Sequence, residues 1–260
     1  IYYWLNYFKE NNVKAVVGSH YCYTYGITLR ISTFKNIESY TVDTDAVTKL
    51  NKKYKNQWIQ HHDFRSIFKS FNSKEKKTAL KIGKNRLIRK FKGATGYKIG
   101  VPQMQKSAFS KLSIKSKTKK LFDNTSNIKV LICSHDFFDA AHSYGNNFFP
   151  DFYEWIIFLG KMSNKTNYEW YIKTHYPYGG KYEIYQAHER RVVQGLVKKF
   201  KHFKIIPPKT SMKQLLNEGI DGIFTVNGTI GSEIPYYNIP VVNASLKNPH
   251  INYNFNIHPK

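Results

Sequence analysis

Between residues 127 and 245 short apolar runs alternate with segments of helical period, and that pattern leaves few folds open. NIKVLICS (127–134), YEWYIKTH (168–175), FKIIPP (203–208), IDGIFTV (220–226) and IPVVNAS (239–245) read as strands, the first as a buried run and the second by alternation. PDFYEWIIFLGKMS (150–163) opens with Pro150 at a helix start and repeats its apolar residues at helical spacing. YEIYQAHERRVVQGLVKKF (182–200) reads as a long helix, SMKQLLNEG (211–219) as a helix from an N-cap Ser211 to Gly219, and TIGSEIPYY (229–237) as a third. Five strands separated by helices imply a parallel sheet covered on both faces, a doubly wound α/β domain.

The rest of the chain is organised by charge. Of 260 residues 41 are basic and 17 acidic, and 35 of the basic ones are Lys. Residues 49–120 hold 22 basic and 2 acidic side chains, whereas residues 1–48 are neutral. The excess predicts attraction to phosphates, whether of nucleic acid, anionic lipid or a nucleotide. Within it, SKEKKTALKIGKNRLIRKF (73–91) places Leu80, Leu87, Ile88 and Phe91 near one helical face among Lys and Arg, a basic amphipathic helix. It reads equally as a solvated surface helix or a platform for an anionic membrane, and less well as a nucleic-acid contact, since no nucleic-acid motif accompanies it. The Ser-, Thr- and Lys-rich stretch 106–126 reads as a linker.

Ahead of the basic segment, VKAVVGS (13–19) suggests a buried strand, 21–33 a helix and IESYTVD (37–43) a strand. With a chain opening at Ile1 without Met or signal peptide, the expectation is that this unit is the tail of a parallel α/β domain whose start is missing. The expected division is therefore 1–105, an incomplete α/β domain with the basic helix; 106–126, the linker; and 127–260, a Rossmann-like domain. Cys22 and Cys133 cannot form a disulfide framework, fit a reducing cytoplasm, and read as core residues. No run of eighteen apolar residues suggests a membrane span.

Ligands of doubly wound sheets bind beyond the carboxyl ends of the strands, so chemistry is sought where each strand stops. TVNGTIGSE (225–233) carries Thr225, Asn227, Gly228 and Thr229 into a helix start, a small-residue turn suited to a phosphate, with Glu233 one turn on as an acceptor for ribose hydroxyls. An ordinary strand-to-helix turn with Thr229 as N-cap is the plainer reading. Lys173 and His175 close the strand 168–175 and suit an anionic leaving group, although a His at a strand end is more often structural. His135, Asp136, Asp139 and His142 fall within eight residues after strand 127–134, as a substrate-contacting loop, a structural loop or, less readily, a metal site. His20, just after strand 13–19, is a candidate general base without an identified partner, and a hydrogen-bonded loop His is the plainer reading. Gly-x-Ser-x-Gly, Walker A and Gly-x-Gly-x-x-Gly runs are all missing, which leaves serine hydrolases, P-loop kinases and the usual dinucleotide dehydrogenases without support.

The pairing of IKTHYP (172–177) with VNGTIGSEIPYYNIPVV (226–242) resembles the nucleotide-sugar half of bacterial GT-B glycosyltransferases of the capsule polysaccharide and Kdo transferase type. In that group a Lys-Pro-His-Pro strand end is followed by an Asn-Ser-Thr-x-Gly-x-Glu turn and a Gly-x-Pro-Val strand. This chain departs from it at Thr174, Tyr176 and Gly228. The resemblance covers about residues 127–245. It implies two Rossmann-like domains facing across a cleft, a nucleotide-sugar donor (UDP- or CMP-linked), a polysaccharide or lipid-linked acceptor, and metal-independent transfer without a cofactor. It further implies that Lys173 and His175 face the donor phosphate, that Thr225, Asn227, Gly228 and Thr229 cradle it, and that Glu233 meets the ribose. By position the resemblance makes His20 the acceptor base, and His135, Asp136 and Asp139 remain substrate contacts. The expected setting is cytoplasmic, peripheral on the anionic inner membrane through the basic middle third, with no nucleic-acid partner. A non-catalytic nucleic-acid-binding protein and a sugar-nucleotide epimerase of similar architecture are the alternatives.

Overall fold

The computed structural model describes residues 1–19, 21–42, 46–55, 58–96, 106–110, 120–123, 125–139, 147–175 and 183–259. The chain divides into two compact units, one built on residues 1–69 and the other on 70–139 with 147–260.

The first unit is a small mixed sheet with helices. Strand β1 (Ala15–Gly18) pairs in parallel with β2 (Glu38–Val42), and β2 pairs antiparallel with β3 (Val47–Leu50). Helix α1 (Tyr2–Glu10) precedes β1, and α2 (Tyr23–Phe34) connects β1 to β2 over a core that includes Leu29, Ile31 and Leu50. The Ser32 and Ser39 hydroxyls, 2.7 Å apart, tie α2 to β2. The sheet order β1-β2-β3 makes β1 an edge strand, so the burial expected of it does not occur and Val17 is 64% exposed. The antiparallel β3 also departs from a purely parallel domain; four residues give too short an alternation to announce themselves.

The second unit contains the five-stranded parallel sheet. Its strands β4 (Lys129–Cys133), β5 (Glu169–Lys173), β6 (Phe203–Ile206), β7 (Gly222–Thr225) and β8 (Val241–Asn243) lie in the order β6-β5-β4-β7-β8. Helices α5 (Phe152–Ser163), α6 (Glu183–Lys199), α7 (Met212–Asn217) and the one-turn α8 (Ile230–Glu233) connect them. Asp151 caps α5, accepting from the Glu154 N–H at 2.8 Å, and Ser211 caps α7. Gly219 ends the α7 segment at φ +92°, a conformation costly for any side chain. The strand expected to alternate over 168–175 is instead buried at four consecutive positions, Glu169 to Ile172, as befits a strand inside a two-sided sheet. The helix expected over 229–237 is one α turn passing into a 3-10 turn, Ile234–Tyr237, because Pro235 lacks the N–H that a continued α-helix would use.

The boundary differs from the expected one. The basic helix, α4 (Ser73–Phe91), which follows α3 (Phe64–Ser70), belongs to the second unit, where Phe91 packs on Phe109, Tyr236 and Tyr237 with ring centres 5.0–5.1 Å apart. The described parts of 106–126 are not a linker. Phe109 and Phe122 join Leu131, Tyr171, Ile223 and Val241 in the core, and the Leu121 and Phe122 N–H groups donate to Glu218. Two isolated Phe residues in a Lys- and Ser-rich stretch carry no periodicity, yet each buries enough apolar surface to fix its segment. Among the described residues no helix is long and apolar enough to cross a membrane.

Candidate functional site at the carboxyl ends of the sheet

The chain winds from β4 outward to β5 and β6, then returns to the other side of β4 for β7 and β8. The direction of winding reverses between β4 and β7, the point at which open α/β sheets leave a crevice beyond their carboxyl ends. Residues from three strand ends meet there: Ser134, His135 and Asp136 after β4, Lys173 to His175 at β5, and Thr225 to Gly228 at β7.

His135 braces the β7 turn. Its Nε2 accepts from the Asn227 N–H at 3.3 Å and lies 3.2 Å from Thr225 Oγ1, while its ring stacks on Phe152 at 4.8 Å. An accepting Nε2 places the proton of the neutral ring on Nδ1. Burial, and secondarily His175, push the His135 pKa down to about 3. Asp136 is likewise turned inward: its Oδ1 accepts from Gln186 Nε2 at 3.2 Å and its Oδ2 lies 3.5 Å from His175 Nδ1. Both residues thus have internal partners, where the loop reading gave them to substrate. Asp139 is exposed, its N–H bonded to the Asp136 carbonyl.

Gln186 and Glu189, on α6, escape a reading of strand ends. They extend the buried stripe of Val193 and Leu196, so two polar residues at apolar positions of a helical period were the available signal. Glu189 accepts from the Phe137 N–H at 3.1 Å, and burial, then the neighbouring Asp136, push its pKa up to about 8. Asp136 is raised too, first by burial. An acid that keeps its proton in the fold but loses it on unfolding weakens the fold as pH rises. From the ordinary 4.5 to about 8 Glu189 therefore lowers stability progressively. We expect Glu189→Gln to flatten that decline between about pH 4.5 and 8 in urea-unfolding midpoints; an unchanged slope would contradict a raised Glu189.

Gly228 sits where a Cβ would come within 2.9 Å of Thr225 Oγ1 and 3.4 Å of His135 Cε1. Its carbonyl accepts from His250 Nε2 at 3.3 Å. Thr229 occupies the N-cap of α8, is exposed, and makes no side-chain capping bond, unlike the plainer reading of the turn. Gly231 is equally constrained: a Cβ there would meet His250 Cδ2 at 2.7 Å and Asn243 Oδ1 at 3.1 Å.

Glu233 is buried, and its Oε1 lies 2.5 Å from Lys90 Nζ on α4. An ammonium, rather than a ribose, is the partner the fold gives it. Lys173 stands in contrast. It is cross-strand from Cys133, and desolvation lowers its pKa, yet it has no carboxylate partner among the described residues. Burial also pushes the Cys133 thiol up to about 12, so that cysteine is inert core, as its sequence context suggests.

His20 and His142 lie outside the described residues. Among the described residues no group of three or more His, Cys, Asp or Glu side chains is arranged to hold a metal ion. Comparison of the chain with protein-family models, with curated proteins and with solved structures gives no match.

Proposed function

We propose that the second unit binds the phosphate of a nucleotide-linked sugar beyond the carboxyl ends of β4, β5 and β7, and that the protein transfers the sugar to a polysaccharide or lipid-linked acceptor. The observation that carries this reading is Lys173, a desolvated cation without a carboxylate partner among the described residues, at the carboxyl end of β5, the strand beside the β4 edge of the winding reversal. A partly buried, desolvated charge left unpaired costs the fold, and an arriving phosphate relieves that cost. His175, held at Nδ1 by Asp136, and the Asn227–Thr229 turn, braced by His135, stand at the neighbouring strand ends.

In the transfer an acceptor hydroxyl oxygen bonds to the anomeric carbon as the bond from that carbon to the phosphate oxygen breaks. The hydroxyl proton passes to a base. The nucleotide departs as an anion facing Lys173 and His175, whose contribution is to stabilise charge that develops only as the bond breaks.

A thermal-shift panel of UDP, CMP, GDP and their sugars tests the reading. One nucleotide is expected to raise the melting temperature, by the equivalent of about 2.7 kcal/mol at a hundredfold excess over its Kd. No shift with any of them would overturn the proposal, and conversion of a donor sugar without acceptor would favour the epimerase alternative.

A further inference from the structure

Helix α4 carries eight basic residues and one acid. The acid, Glu75, is engaged in a capping box: its carboxylate accepts from the Asn72 N–H at 2.8 Å while the Asn72 side chain accepts from the Glu75 N–H at 3.0 Å. Lys90 is held by Glu233, and its carbonyl accepts from the Ser107 hydroxyl. The remaining Lys74, Lys76, Lys77, Lys81, Lys84, Arg86 and Arg89 make no ion pair among the described residues, and no residue of α4 is buried.

At 100° per residue Leu80, Leu87, Ile88 and Phe91 share one side of the helix. Phe91 ends that stripe inside the protein's own aromatic cluster, whereas Leu80 at the far end is 63% exposed. From Phe91 to Leu80 the stripe runs about 16 Å along the helix. Tyr236, packed on Phe91, is itself 60% exposed beside it.

We propose that α4 is an anchor that lays this stripe into the surface of an anionic phospholipid membrane. Seven basic side chains without an ion pair among the described residues complement acidic headgroups, and lysine stems reach past an apolar stripe to place their charge in water. A nucleic-acid backbone would satisfy the charges but offers nothing to an exposed Leu80, whereas the acyl boundary does, and a tyrosine ring suits the headgroup level. Because Lys90 and Phe91 bind Glu233 and the 3-10 turn after it, the anchor is fixed to the chain just beyond the Asn227–Thr229 turn. This inference stands apart from the transferase reading.

The test is co-sedimentation of the full chain with phosphatidylcholine vesicles, with and without phosphatidylglycerol, at low and high salt. Binding is expected only with phosphatidylglycerol and to weaken with salt. The variant K74Q/K77Q/K81Q/K84Q is expected to lose a hundredfold or more, at about fivefold per lysine. Leu80→Gln, which leaves the charge intact, is expected to lose about tenfold. These positions are exposed and glutamine favours helix, so circular dichroism should be unchanged. Vesicle binding that neither variant weakens would overturn the proposal, as would wild-type protein that prefers duplex DNA to phosphatidylglycerol vesicles with Leu80→Gln silent on both.

Discussion

Lys173→Met is expected to weaken the response to nucleotide sharply while leaving the unliganded protein as stable as the wild type or more so. A substitution that damages a binding site usually damages packing as well; here the physics separates the two. The Lys173 ammonium is desolvated and has no carboxylate beside it among the described residues, so a methionine of similar length removes a cost and keeps the apolar contacts. A charge-assisted contact to phosphate is worth about 1.5–3 kcal/mol, so affinity should fall roughly 10- to 100-fold. The pH dependence carries the same signature. A lysine whose pKa is lowered in the fold penalises stability fully below that folded value, and the penalty fades as pH rises through the ordinary 10.5. Wild-type stability should gain from this group as pH rises in that range, and Lys173→Met should lack the gain. A destabilised variant that still binds nucleotide would contradict the assignment.

The second large effect concerns the ion pair between α4 and α8. Lys90→Met leaves the Glu233 carboxylate, only 4% exposed, without its cation. Breaking a buried pair from one side costs about 3 kcal/mol or more. In a unit of this size that corresponds to a fall in melting temperature of roughly 6–12 °C. The double variant Lys90→Met with Glu233→Gln should recover much of the loss, since a neutral amide needs no counter-charge. Equal losses in single and double variants would show that packing around Phe91, not charge, holds the helix.

The parallel sheet was legible because each of its strands is a short apolar run between helical segments, and a chain that must cover both faces of a sheet cannot hide that alternation. The strand ends were legible too, since polar residues gather where a buried run stops. Their roles were less so. His135 and Asp136 read as loop residues for substrate, but the fold turns both inward, one to brace the Asn227 N–H and the other to hold His175. Such partnerships join positions tens of residues apart and leave no local trace. Lys90 and Glu233, 143 residues apart, are the extreme case, and their pairing joins the packing of Phe91 in tying the basic helix to the second unit. Phe109 and Phe122 were missed for the opposite reason: single aromatics without periodicity look like linker until a core closes on them.

The most direct measurement is an amide nitrogen–proton correlation spectrum of the labelled protein titrated with whichever nucleotide raises its melting temperature. The account predicts that the shifted resonances cluster at Ser134–Asp136, Lys173–His175 and Asn227–Gly231. Shifts confined to α4, or spread without reference to the strand ends, would mean that the phosphate binds by bulk charge and that the winding reversal is not its site.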